Sequence, residues 1–97
     1  MTEAVLPDLY RFMLFVSGST PRSARAISNM LKLCKEYLEG HCSYEVIDVH
    51  QNPDATRQMQ IVATPTLVKL SPDPPRRIVG DLSDKTRVLA GLNITPH

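Results

Sequence analysis

Tryptophan is absent from this chain, and aromatic residues make up only 5% of its 97 residues. So few rings cannot furnish the stacking platform on which single-stranded nucleic acids are held. Charge of one sign is missing too. Eleven basic against ten acidic residues leave a formal net charge of +1, so no bulk field gathers a polyanion, and no nucleic-acid partner is expected. No run reaches the ~18 apolar residues that a membrane helix needs, so no membrane span is expected. The first nine residues carry Glu3 and Asp8 and lack the basic start of a secretory signal. The expected location is therefore the cytoplasm.

Reactive chemistry is equally sparse. The two cysteines, Cys34 and Cys42, stand seven residues apart, which fits neither a C-x-x-C redox pair nor a metal knuckle. Cys34 falls on an apolar helical stripe and reads as a small buried hydrophobe. Cys42 falls in a polar stretch and reads as a free thiol without a role. His41, His50 and His97 show no ligand spacing and read as solvated residues, so no metal is expected. The four glycines include no phosphate-cradling run, and no Gly-Lys-Ser or Gly-Lys-Thr occurs; no cofactor is expected.

What is present is the pattern of one α/β domain over residues 1–97. A hydrophobic content of 42% supplies one modest core. Residues 1–8 read as a flexible leader and 93–97 as the C-terminal end. Tyr10 to Val16 is a short, nearly continuous apolar run that suits a strand covered on both faces. Thr20 and Pro21 form a helix start, with Thr20 as N-cap and proline in the first turn. Ala24, Ile27, Leu31, Cys34 and Leu38 then recur at spacings of three and four and predict the buried face of a long helix, with Gly40 as its stop. Tyr44 to Val49 alternates and predicts a second strand, parallel to the first across a right-handed crossover. Ala55 to Ile61 predicts a short helix, Thr66 to Leu70 a third strand and Arg76 to Val79 a fourth. Val88, Leu89 and Leu92 supply the face of a last helix, capped by Ser83 and interrupted by Gly91. The order is β-α-β-α-β-β-α. The stretch Ala63-Thr64-Pro65-Thr66-Leu67 ahead of an apolar strand matches the proline loop of a thioredoxin-like fold, which holds a cis-proline there.

Thioredoxin-type catalysis needs a thiolate at the N-terminus of the first helix, where the dipole and free N–H groups lower its pKa. Thr20 and Ser23 occupy the C-x-x-C spacing here, and neither ionises usefully near neutral pH. Dithiol exchange is excluded at this position. A serine nucleophile would need an activating base, and no histidine or carboxylate stands near it in sequence. No catalytic residue is expected. The basic residues carry more information. Lys69 interrupts an apolar strand, and Arg76-Arg77 open the next. If those strands pair, Lys69, Arg76 and Arg77, together with Arg25, gather at one edge where a partner meets positive charge and backbone groups together.

The segments Leu14 to Ser23, Val46 to Val49, Asn52-Pro53, Ala63 to Leu67 and Arg76-Arg77-Ile78-Val79-Gly80-Asp81-Leu82-Ser83-Asp84 occur together in one family. The chain resembles the KaiB family of circadian clock proteins over Tyr10 to Leu92. The resemblance implies a non-enzymatic regulator that binds a KaiC-type hexameric ATPase and autokinase and shifts its phosphorylation cycle. It implies KaiA and a SasA-like sensor kinase as further partners, and a homo-oligomer, tetramer or dimer. It implies two folds for one sequence: a thioredoxin-like monomer, and a ground-state fold sharing only the N-terminal βαβ half. Two such packings coexist only when a few kcal/mol separate them. The family's KaiC-contacting positions correspond to Arg25, Lys69 and Arg76. Its fold-switch positions correspond to Tyr10, the Thr64-Pro65 bond, Gly91 and Asn93, the last standing where the family carries a carboxylate. Glu45 stands where the family carries a lysine. Two other readings stay open: an oxidoreductase on the thioredoxin scaffold, opposed by the missing C-x-x-C, and a stand-alone SasA-like sensory binding domain.

Overall fold

A computed structural model describes residues 9–38 and 40–94. The leader expected at residues 1–8, and residues 95–97 of the expected C-terminal end, lie outside them. The elements are β1 (Tyr10–Val16), α1 (Pro21–Tyr37), β2 (Cys42–Asp48), α2 (Pro53–Gln58), β3 (Thr66–Ser71), β4 (Arg76–Val79) and α3 (Lys85–Gly91). They form one four-stranded sheet in the order β2-β1-β3-β4. β1 pairs with β2 in parallel, while β3 is antiparallel to both β1 and β4. This is the thioredoxin-like arrangement, with a cis Thr64-Pro65 bond just ahead of β3.

The alternation of β1 divides the molecule into two layers. Tyr10, Phe12, Leu14 and Val16 point to one face, where Ala26, Met30 and Leu33 of α1, Val88 of α3 and Leu92 just past it close the main core. Phe15 points to the other, where Val68, Ile47 and the smaller helix α2 build a second cluster. Apart from exposed Arg11 and half-buried Met13, each β1 side chain is buried whichever way it points, which is why the run reads as nearly continuously apolar.

Thr20 caps α1 as expected, its hydroxyl accepting from the Ser23 N–H, with Pro21 in the first turn. The buried face of α1 is the expected one only in part: Cys34 and Leu38 are buried and Ile27 packs against the core. Ser23, Ala26, Met30, Leu33 and Cys34 are buried, whereas Ala24 and Leu31 are exposed. The true stripe lies one residue back, about 100° around the helix. The cause is Ser23, a polar residue turned inward. Its hydroxyl accepts from the Ser17 N–H at 3.1 Å and from the Thr20 hydroxyl at 2.8 Å, so its burial leaves no group unsatisfied.

β2 opens at Cys42, two residues before the expected start, because Tyr10 pairs with Cys42 in the parallel register. Tyr44 and Val46 stay exposed on this edge strand. α2 runs earlier than expected, from Pro53, with Asn52 at its cap position. α3 is capped by Asp84 rather than Ser83. Ser83 is already engaged, its N–H donating to Asp81 Oδ1 at 3.1 Å, and the chain bends at Leu82 with φ 66°. Helix entry is thus one residue late, and the carboxylate of Asp84 takes the Arg87 N–H. Gly91 does not interrupt α3; it is its last residue. A Cβ there would stand 3.2 Å from Ile78 Cδ1, so the helix approaches β4 closely at that point.

Candidate functional site

The carboxyl ends of β1 and β2 meet the start of α1 and the proline loop. In an open α/β sheet this crevice is the usual ligand position. Here Thr20 and Ser23 spend their hydroxyls on each other and on the backbone. The polar pair facing outward is Ser17 and His50, with Oγ and Nε2 2.9 Å apart. The His50 N–H donates to Asp48 Oδ1 at 2.8 Å, so the carboxylate orients the backbone and not the ring. Sequence order hid this pair. It follows from the parallel register, which brings Asp48 beside Val16 and so sets the two following loops side by side. A groove of about 240 Å³ runs from this pair to Val62, which is 94% exposed.

Arg25 projects from α1 toward the loop after β4. Its Nε donates to Asp81 Oδ2 at 3.1 Å, with the arginine side chain 55% and the aspartate 23% exposed. Asn29 adds a bond from Nδ2 to the Asp81 carbonyl at 2.7 Å. The Ser83 hydroxyl, then the Arg25 guanidinium and the Ser83 N–H, hold the Asp81 carboxyl below the usual carboxylate range. Only Nε of Arg25 is used in this contact, so the outer nitrogens of the fork remain for other acceptors.

Lys69 and Arg76 do come together. They are register partners across β3 and β4, so their side chains leave the sheet on the same face. Arg76 is exposed and Lys69 is not. The Lys69 ammonium is fully buried, meets no hydrogen-bond acceptor, and lies over the Tyr10 ring. Burial first, then the charge of Arg76, push its pKa below the ordinary value, while Asp73 opposes the shift. Arg77 points to the opposite face, where its Nη1 donates to the Gln60 carbonyl at 3.3 Å. Beside the open edge of β4 lies a shallow groove of about 520 Å³, bordered by both arginines, by Met59 on one side of the sheet and by Gly91 on the other. Arg25 stands apart from this cluster. Its partner Asp81 follows the far end of β4, so a surface touching both Arg25 and Arg76 must run the length of that strand.

Of the expected fold-switch positions, Tyr10 is buried in the main core and Asn93 is exposed with φ 56° just past α3. The cysteines depart from their sequence reading. Cys34 is buried, but it is joined to Cys42 by a disulfide with Cα atoms 6.0 Å apart. Cys42 is thus no free thiol in a loop; it opens β2, and the short turn between α1 and β2 keeps it beside the last turn of α1. Among the described residues no group of three or more His, Cys, Asp or Glu side chains is placed to hold a metal. No helix among them is long and apolar enough to cross a membrane.

A profile of the KaiB domain matches residues 13–94. The circadian clock oscillator protein KaiB of Microcystis aeruginosa is 42% identical over 91 residues, covering 94% of this chain and 88% of that protein. The protein of the same name from Prochlorococcus marinus is 45% identical over 85 residues, covering 88% and 73%. Among solved structures, the N-terminal domain of Synechococcus elongatus SasA superposes with a TM-score of 0.73 at 23% identity, covering 98% of this chain and 93% of that domain. Chloroplastic thioredoxin z superposes with a TM-score of 0.71 at 20% identity, covering 91% and 81%. At these identities the two structures speak for the fold alone.

Proposed function

The chain belongs to the KaiB family, and from that premise we propose that it is a docking protein for a KaiC-type hexameric ATPase whose phosphorylation cycle it modulates. The observation that carries this reading is the 42–45% identity to circadian clock oscillator proteins over most of the chain. The chemistry at the crevice agrees with it. A thioredoxin scaffold whose C-x-x-C positions are Thr20 and Ser23 has a surface without dithiol exchange at the N-terminus of α1. Arg76, beside the open edge of β4, offers charge and unpaired backbone to an acidic or extended segment of the ring. Arg25 offers the outer edge of a fork whose inner nitrogen is fixed by Asp81. Lys69 adds positive potential behind Arg76 and reaches a partner directly only if Tyr10 moves aside. The thioredoxin-like form is the one the ring captures, drawn from a homo-oligomeric pool.

The test is a phosphorylation time course of a KaiC-type hexamer with ATP, in the presence and absence of this protein. A shift toward the dephosphorylated ring supports the reading. An unchanged course, together with turnover of insulin disulfides by the purified chain, would replace it with the oxidoreductase reading. A SasA-like role as a competing sensory module would appear as displacement of a SasA-type domain from the ring without any change in its phosphorylation.

A further inference from the structure

We propose that Cys34 and Cys42 form a reversible thiol–disulfide site that exchanges with small thiols and disulfides of the glutathione class. Three observations carry it, none of them tied to ring binding. The pair joins two elements, the last turn of α1 and the first residue of β2, with Cα atoms 6.0 Å apart and a sequence separation of 8. The sulfurs are unequally covered: Cys34 is 8% exposed, while Cys42 is half-buried at the sheet edge. The closed loop is short, so little chain entropy is lost when the bond re-forms and the two sulfurs stay near each other once it opens.

This asymmetry sets the course of exchange. A small thiolate attacks Cys42 Sγ, the accessible sulfur. The Cys34–Cys42 bond breaks, and Cys34 leaves as a thiolate that takes up a proton. A second small thiol attacks the mixed disulfide, frees Cys42 as a thiol and departs as the oxidised small molecule. Two electrons enter the protein, and two small thiols become one disulfide. Glutathione disulfide drives the same steps in reverse.

The bond bears on local order as well. The loop it closes contains His41, whose carbonyl accepts the Tyr10 N–H at 2.7 Å, and whose own N–H donates to the Leu38 carbonyl at 2.7 Å. β2 is an edge strand with β1 as its one neighbour in the sheet. Opening the bond therefore loosens the start of β2 and the hydrogen bond that anchors Tyr10.

The experiment uses the full chain in three states: as oxidised, after dithiothreitol, and after return to glutathione disulfide. Iodoacetamide labelling read by intact mass is expected to show no label, two labels and no label, with no lasting glutathione adduct. Two labels persisting after glutathione disulfide, stable adducts, or bonds between chains would overturn the proposal. Hydrogen exchange supplies the second readout. The Tyr10 amide is expected to exchange roughly ten- to a hundredfold faster in the reduced state. The Cys34→Ser/Cys42→Ser double variant should hold the fast rate whatever the thiol added. Equal rates in both states of the unmodified chain would remove the coupling to Tyr10 even if that variant fails to fold.

Discussion

The Nζ of Lys69 lies 5.9 Å from the centre of the Tyr10 ring and meets no hydrogen-bond acceptor. An ammonium in that setting is held by cation–π attraction and the charge of Asp73, which return less than water did. The thioredoxin-like form thus carries a local defect in its main core, in the same row of the sheet as Arg76.

Replacing Lys69 by methionine keeps the length of the stem and removes the charge. The Lys69→Met variant is expected to be more stable than the parent by about 1–3 kcal/mol. Urea unfolding followed by circular dichroism reads this directly. A midpoint at or below that of the parent would show that the ammonium is better solvated than its burial implies.

Lysine 69 also sets a pH dependence. Its folded pKa is lowered from 10.5, chiefly by burial. The unfolded chain therefore binds the extra proton over the window between the folded pKa and 10.5, and stability rises with pH across it. Below that window the cost is fully present. Lys85 works in the opposite sense. Its pKa is raised from 10.5 by the hydrogen bond and charge of Glu36, so its contribution is complete below 10.5 and fades as pH climbs through the raised value. The difference between parent and Lys69→Met, measured from pH 7 to 11, isolates the first effect. It is expected to shrink as pH rises; a constant difference would contradict the assignment.

On the acid side the Asp81 carboxylate links α1 to the turn before α3 through Arg25. Its pKa is lowered from 3.8, so its contribution is present above that value and is lost as pH falls through the folded pKa. The Asp81→Asn variant is expected to flatten the acid limb of the stability profile, with little change in its alkaline limb. An acid limb identical to that of the parent would mean that the Asn29 bond to the Asp81 carbonyl, kept in the variant, holds the loop without the carboxylate.

Gly91 meets Ile78 closely. A Cβ at 3.2 Å from Ile78 Cδ1 forces the isoleucine to yield by a few tenths of an ångström, and a branched side chain forces more. Gly91→Val is expected to destabilise this form by about 1–3 kcal/mol. The loss should be smaller in an Ile78→Ala background, because the two sites share one space. Additive losses in the double variant would place the origin elsewhere.

Arg76 is exposed at the edge of β4. Arg76→Ala is expected to weaken capture by a KaiC-type ring by about 1–3 kcal/mol, the range for a charge-assisted hydrogen bond. Titration of labelled protein against the hexamer measures it. Unchanged affinity would take this residue out of the interface.

Local signals carried much of this fold. β1 was bounded by its apolar run and β4 by its flanking turns, and both strands begin and end where the pattern places them. Thr20-Pro21 announced α1 because capping depends on neighbours in sequence. The helix face was misread because Ser23 is buried through hydrogen bonds that no periodicity records. The Ser17–His50 contact depends on the parallel register of β1 and β2, which fixes distances between residues far apart in the chain, and the Cys34–Cys42 bond on how tightly the chain turns from α1 into β2. Lys69 was legible as an odd charge in an apolar strand. Its burial was not, because that depends on how Tyr10 lies across the sheet.

The central claim is capture by a KaiC-type ring, and sedimentation velocity of the protein with such a hexamer and ATP, sampled over hours, tests it most directly. The account predicts that the protein moves into the boundary of the ring as incubation lengthens, and that Arg76→Ala slows or reduces the transfer. Protein that stays in its own slow boundary at every time, beside an intact and ATP-loaded ring, would contradict it.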